Sequence, residues 1–555
     1  MSSTPSASTS RPPLTARVLA RALSIPSPTT GLEVHRGVRV PMRDGVDLIA
    51  DHYEPLTPSP AGTILVRAPY GRGFPFAAFF GSVYATRGYH VVFQSVRGTY
   101  GSGGVFSPMV DEVADGADTV EWLRHQPWFT GTFATMGLSY LGFTQWALLM
   151  DPPPELSAAI ITVGPHDFSR ATWGTGAFTV NDFLGWSDMV SRQEEVGQVR
   201  QIVRQARANA VVKRTATQAP IGESGRTLLG SGGAWWESWI TDPDSDPEFW
   251  NRVSLGDALD RVNVPVLLIG GWQDLFLEQT LAQYAHLRDR GVPTALTVGS
   301  WTHAQVMTKG APIVLRESLN WLDEHLAGRP ATPRARVHAH VHRSGWIDLP
   351  DWPPATTAQT LYLTPAHGLS GTAPDDGAAP STFTFDPSDP TPTIGGRLLS
   401  PQGGYRDDGA LALRSDVAEF TGAELTDDLY VLGTPVVELA HSCDNPHNDV
   451  FVRVSEVDAA GRSHNVTDGF RRLVGDSASS GTVRLELDDV AHRFTAGSRI
   501  RLLVAGGSHP RFVRNLGTDE PVATGTRMAT ATHTVHHGAG GLSTLVLPVG
   551  SPSAD

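Results

Sequence analysis

The chain has 555 residues, a formal net charge of −14 and one cysteine. Its length suggests roughly three to four domains with a core large enough to need no crosslinks, and its acidity argues against a nucleic-acid partner. Cys443 cannot form an internal disulfide, which fits a reducing, cytoplasmic location, and no apolar run approaches a membrane span.

Residues 1–30 are rich in Ser, Thr and Pro and lack the apolar core of a secretory signal, so they are expected to form a flexible tail. From Gly62 onward, buried-strand runs alternate with helical ones, the pattern of a mostly parallel sheet. Thr63–Val66, His90–Phe93, Phe133–Gly137 and Ala158–Val163 read as strands, and Val113–His125 reads as a helix. The alternation stops over 165–249, where polar helical segments carry Trp173, Trp186, Trp235, Trp236 and Trp239, as an inserted cap would. It resumes with a strand at Pro265–Ile269, a helix at Gln279–Arg288, a strand at Thr294–Val298 and a helix at Ile313–Leu326. Beyond Gly328-Arg329-Pro330, short alternating runs separated by Gly, Pro and Asp indicate an all-β unit. The expected architecture is α/β: an α/β-hydrolase domain in two parts (31–164 and 250–332), a helical cap (165–249) and a C-terminal jelly-roll β-sandwich (333–555).

Chemistry enters at Gly137-Leu138-Ser139-Tyr140-Leu141-Gly142, which lies between a strand and a helix. A serine at the tip of such a turn is placed to act as a nucleophile, although the second glycine stands three residues after Ser139 rather than two. A serine hydroxyl needs a base, and the base needs an acid to fix its tautomer. Asp274 follows the strand ending at Ile269 and His303 follows the strand ending at Val298, which is the order Ser, Asp, His of this fold. Taken singly, such an Asp is most often a turn or capping residue and such a His a surface one; their joint placement makes the case.

The stretch Gly137–Gly142 with Phe143-Thr144-Gln145-Trp146 resembles the serine motif of the CocE/NonD hydrolases, a group that includes X-Pro dipeptidyl-peptidases and α-amino-acid ester hydrolases. The resemblance extends through Arg67–Tyr70, Gln94–Gly98, Gly271–Asp274, Trp301–His303 and, in the β-unit, Val466–Gly469 and Ala491–Arg501. It implies a catalytic triad of Ser139 as nucleophile, His303 as general base and Asp274 as orienting acid. It further implies an oxyanion hole from the Tyr70 hydroxyl and the Tyr140 backbone N–H. Ser95 stands where the family usually has Asp, which removes a carboxylate partner for Arg97, and Ala304 follows His303 where glycine is common.

Amino-ester hydrolases of the group carry acidic residues just beyond the triad aspartate; here Leu275-Phe276-Leu277 stands there. This favours an ester with a neutral, hydrophobic acyl group, since a free ammonium would need buried carboxylates. By resemblance, Trp173, Trp186 and Phe276 are substrate-binding. Amide cleavage by an aminopeptidase or β-lactam acylase is the alternative, and a non-catalytic carbohydrate-binding protein a weaker one. No cofactor and no metal are expected, because His338, His340 and His342, and His533, His536 and His537, only mark strand faces without a matching carboxylate or cysteine set. The expected partner is a small-molecule ester, with no nucleic acid and no membrane; the oligomeric state is left open, a homodimer included.

Overall fold

In the computed structural model, residues 11–194, 208–330, 332–475 and 478–551 are described. Among the described residues ten strands form the α/β sheet: β1 (Leu32–Pro41), β2 (Asp47–Pro55), β3 (Gly62–Ala68), β4 (Tyr89–Ser95), β5 (Phe133–Leu138), β6 (Leu156–Thr162), β7 (Val266–Gln273), β8 (Thr294–Thr302), β9 (Val337–Val341) and β10 (Gly345–Leu349). Their order is β1-β2-β4-β3-β5-β6-β7-β8-β9-β10. The pairings from β4 through β9 are parallel, and the β1–β2 and β9–β10 hairpins close the two edges antiparallel. Every residue of β3, β4, β5 and β7 is buried, as continuous apolar runs covered on both faces require. Helices Tyr140–Leu148 and Leu277–Asp289 pack on β3, β5 and β6 and on β7 and β8, so the loops leaving the strand ends are rigidly backed.

The cap lies between β6 and β7 and includes helices Phe168–Trp173, Val180–Val190, Ile221–Leu229 and Pro247–Arg252. Phe168, Trp173, Phe178, Phe183, Trp236 and Trp239 join the same apolar core as the sheet. Among the described residues the C-terminal domain contains 13 strands, from Thr357–Thr364 to Thr544–Val549, around a separate core that includes Leu363, Phe420, Val452, Leu502 and Leu545. Among the described residues no helix is long and apolar enough to cross a membrane.

Three features depart from the sequence reading. Residues Val337–Leu349, assigned above to the β-sandwich, extend the α/β sheet, because β9 pairs in parallel with β8. The sheet also begins earlier than Gly62, with the β1–β2 hairpin, whose mixed exposure hid its alternation. Part of the expected tail is folded: Leu14–Ala22 is a helix, and the segment after it is tied down by Arg87, which donates to the Pro26 carbonyl at 3.0 Å.

Candidate active site

β5 turns at Ser139 directly into the helix Tyr140–Leu148, and this turn forces Ser139 into the left-handed region, with φ 59° and ψ −123°. A non-glycine residue held there stores strain that the surroundings must enforce. The Ser139 N–H donates to the Thr162 carbonyl at 3.0 Å, and its own carbonyl accepts from Gly142 N–H at 2.8 Å. Both glycines have steric reasons. A Cβ on Gly137 would lie 2.3 Å from the Leu141 Cβ, and one on Gly142 would lie 2.5 Å from the Gly164 Cα after β6. The displaced glycine is therefore the point where the helix crosses the next strand's exit, while Leu141 is accommodated by Gly137.

Asp274 and His303 leave the ends of β7 and β8. The His303 Nδ1–H donates to Asp274 Oδ1 at 2.6 Å, and Asp274 Oδ2 accepts from the Phe276 N–H at 2.9 Å. Asp274 is fully buried and His303 nearly so. These bonds leave Nε2 as the histidine nitrogen free to exchange a proton. His303 opens a short 3-10 turn fixed by a reciprocal capping box between Thr302 and Gln305. The Phe276 ring meets the His303 ring edge-on at 5.4 Å.

Tyr70 lies in the loop after β3. Its hydroxyl accepts from Trp186 Nε1 at 3.0 Å, and its side chain lines the same pocket as Ser139. Burial pushes this phenol up to about 12, so it remains a proton donor across the working pH range. Tyr140 opens the helix, where an N–H has no intrahelical acceptor. Its side chain is occupied elsewhere: the hydroxyl donates to Glu112 Oε1 at 2.7 Å and accepts from Met109 N–H at 2.8 Å. Arg67 pairs with Glu112 at 2.9 Å and donates to Gln94 at 2.8 Å, completing a buried network that the sequence reading did not find. Burial raises the Glu112 carboxyl, opposed by the Arg67 charge. Arg97, deprived of an aspartate at Ser95, donates instead to Asp115 at 3.0 Å and Asp44 at 2.8 Å.

One pocket is lined by Ser139, Tyr140, Tyr70, His303, Phe276 and Trp186, along with Phe168, Phe183, Trp239, Leu275, Leu399, Met109 and Pro165. Trp173 is not among them. Its Nε1 donates to the Trp239 carbonyl at 3.0 Å and its ring packs on Phe178, so it supports the cap from behind. Leu399 comes from the β-domain, where nothing in the local sequence marks it. Its N–H donates to Asp182 of the cap at 2.9 Å. The histidine triplets noted above disperse, with His338 on Glu317, His340 on Ser300, His536 on Ser442 and His537 on Ser381.

The β-domain also supports the loop that carries Asp274. Gln273 donates to the Val466 carbonyl at 3.1 Å and accepts from Asn465 Nδ2 at 3.5 Å.

Comparison with known proteins agrees with this architecture. Residues 44–305 match the X-Pro dipeptidyl-peptidase (S15 family), and residues 328–546 match the X-Pro dipeptidyl-peptidase C-terminal non-catalytic domain. The chain is 29% identical to a cocaine esterase of Rhodococcus sp. (strain MB1 Bresler), over 93% of this chain and 98% of that protein. An α-amino acid ester hydrolase structure superposes with a TM-score of 0.78 at 22% identity, covering 94% of this chain and 97% of the other. A CocE/NonD family hydrolase from Staphylococcus aureus superposes at 0.68 with 16% identity, covering 94% of each. With matches to both the catalytic and the C-terminal X-Pro dipeptidyl-peptidase models, over 44–305 and 328–546, and to a cocaine esterase over 93% of its own length, the chain belongs to the CocE/NonD and S15 group of hydrolases.

Proposed function

We propose that the protein hydrolyses carboxylic esters through an acyl-enzyme on Ser139, with His303 as general base and Asp274 as its orienting acid. The observation that carries this reading is the convergence on one pocket of a strained serine, a His–Asp pair at 2.6 Å and the side chain of Tyr70. Ser139 Oγ attacks the ester carbonyl while its proton passes to His303 Nε2. The Tyr70 hydroxyl and the Tyr140 N–H receive the developing oxyanion, donors that typically contribute about 2.7–4 kcal/mol each. His303 then protonates the leaving alcohol, accepts a proton from the entering water, and returns it to Ser139 as the acid departs.

The walls favour a neutral, hydrophobic acyl group: Phe276, Trp186, Trp239, Phe168, Phe183 and Leu275 surround Ser139 without a carboxylate among them. A second cavity of roughly 200 Å³ shares Trp186 and Leu399 with this pocket and offers room for the alcohol. Likeness to a cocaine esterase over nearly the whole chain supports an ester over an amide. The partner is accordingly a small ester and not a nucleic acid, consistent with a net charge of −14.

Ser139→Ala is expected to abolish p-nitrophenyl ester turnover and covalent labelling by a fluorophosphonate; retained labelling would overturn the assignment. A panel of matched acyl, aryl and α-amino esters and amides decides specificity, and a strong preference for a free α-amine would refute the neutral pocket.

A further inference from the structure

The edge of the α/β sheet carries a group of side chains that the ester chemistry does not use. His35 on β1 stands directly opposite His52 on β2. Glu54 follows His52 by two residues and so projects from the same face. On the other side of β2, the register His52↔Val92 and Tyr53↔Val91 brings His90 of β4 next to Glu54, on that face as well. Three imidazoles and a carboxylate from three adjacent strands thus share one patch, although they are spread over more than fifty positions of sequence.

The side chains are close. His35 Nε2 lies 2.8 Å from Glu54 Oε2, and His52 Nε2 lies 3.0 Å from His90 Nδ1. A ring nitrogen of His35, one of His52 and a carboxylate oxygen of Glu54 all fall within 4.8 Å of one another. Trp128 stacks on the His52 ring with centroids 3.9 Å apart and planes at 16°, which fixes that ring, while His35 keeps 43% of its side chain in solvent. One ligand-type residue is therefore immobilised and two remain adjustable and reachable from water.

We propose that His35, His52 and Glu54 bind a divalent transition-metal ion of the zinc class, with His90 as a positioning residue for His52. Two imidazoles and one carboxylate form a donor set that suits zinc and its neighbours and leaves a fourth position for water. With metal–ligand bonds of about 2.0–2.2 Å, tetrahedral ligands sit ~3.3 Å apart. The His35–Glu54 separation is already of that order, and side-chain rotation of these two residues closes the remaining distance to His52. His90 corresponds to the hydrogen-bonding partner that a metal-bound histidine usually has, which sets its ring orientation. An ion at this place would join β1 to β2 at the exposed edge of the sheet, and by linkage would raise stability with metal concentration.

The competing reading is an ordinary ion pair beside an imidazole–imidazole hydrogen bond. The full-length protein, stripped with a chelator and dialysed into non-coordinating buffer, separates the two when titrated with zinc chloride by calorimetry and with cobalt chloride by visible absorption. One ion per chain, a rise in Tm, and cobalt d–d bands of a low-symmetry site are expected. His35→Ala and Glu54→Gln, both at the solvent-facing edge, should weaken binding at least tenfold while ester turnover stays at the parent value, which reports an intact fold. His90→Ala should weaken it by about 10–100-fold, and His125→Ala, an exposed histidine elsewhere, should leave it unchanged. Absence of stoichiometric binding, or equal binding by the parent, His35→Ala and Glu54→Gln, overturns the proposal.

Discussion

In the α/β domain the buried polar groups around Ser139 converge on a pocket with apolar walls, whereas several in the β-domain are held in close ion pairs. His303 and Tyr70 line the pocket at Ser139, and Asp274 adjoins it through His303. Arg453 and Asp468, by contrast, meet at 2.7 Å, Glu456 and His492 at 2.9 Å, and Arg472 and Asp449 at 2.8 Å. The two arginines Arg453 and Arg511 hold the Asp468 carboxyl well below the ordinary carboxylate range against the cost of its burial. Burial alone therefore does not mark function. A buried group that still has an unused hydrogen-bonding or proton-transfer capacity facing a cavity does.

The comparison breaks most visibly if rate and stability fail to separate along it. Asp274→Asn, which keeps the shape of the side chain, should lower kcat by about 10⁴ with little change in Tm, because the amide favours the wrong His303 tautomer; steady-state kinetics beside a thermal melt checks both. Tyr70→Phe removes one oxyanion donor and should lower kcat about 10²–10³-fold with KM nearly constant. A change confined to KM would place Tyr70 in ground-state binding instead.

The β-domain should respond to pH. Burial lowers His441, His509 and His537 to about 4 and His533 to about 3, below the ordinary 6.5. The unfolded chain takes up these protons as pH falls through about 6.5, while the folded domain cannot until near pH 4. Stability is thus complete above pH 6.5 and declines toward pH 4, each histidine contributing up to about 1.4 kcal/mol per pH unit. His533→Asn should flatten that slope in urea melts collected at successive pH values; an unchanged slope would show that the histidine ladder is not the acid-sensitive element. The smallest effect is expected for Leu399→Ala, a KM increase of a few-fold from about 1 kcal/mol of lost apolar contact, with kcat retained.

The placement of Ser139, Asp274 and His303 at strand ends was legible because each requires only local information: a strand, its end and the residue just past it. Phe276 and Trp186 were legible by resemblance, and both line the pocket. Trp173 was not, since a tryptophan in a cap helix can face the cavity or the cap's own interior, and only the packing of Phe178 and Trp239 decides. Leu399, the Glu112–Arg67 pair under Tyr140 and the cross-strand cluster at His52 depend on contacts between residues distant in sequence. The β9–β10 hairpin was misassigned for a related reason: its alternating burial resembles that of the sandwich strands, and its partner β8 lies on the far side of the helix Ala311–His325.

The clasp between the Leu399 N–H and Asp182 has a practical reading. With a pocket wall donated by the C-terminal domain, the proposed hydrolysis would be a property of the docked assembly, not of the Ser139-bearing domain alone. Turnover of a bulky ester would then act as a sensor of domain docking, and it should fade before Ser139 loses its reactivity toward a small phosphonate as the two halves begin to separate.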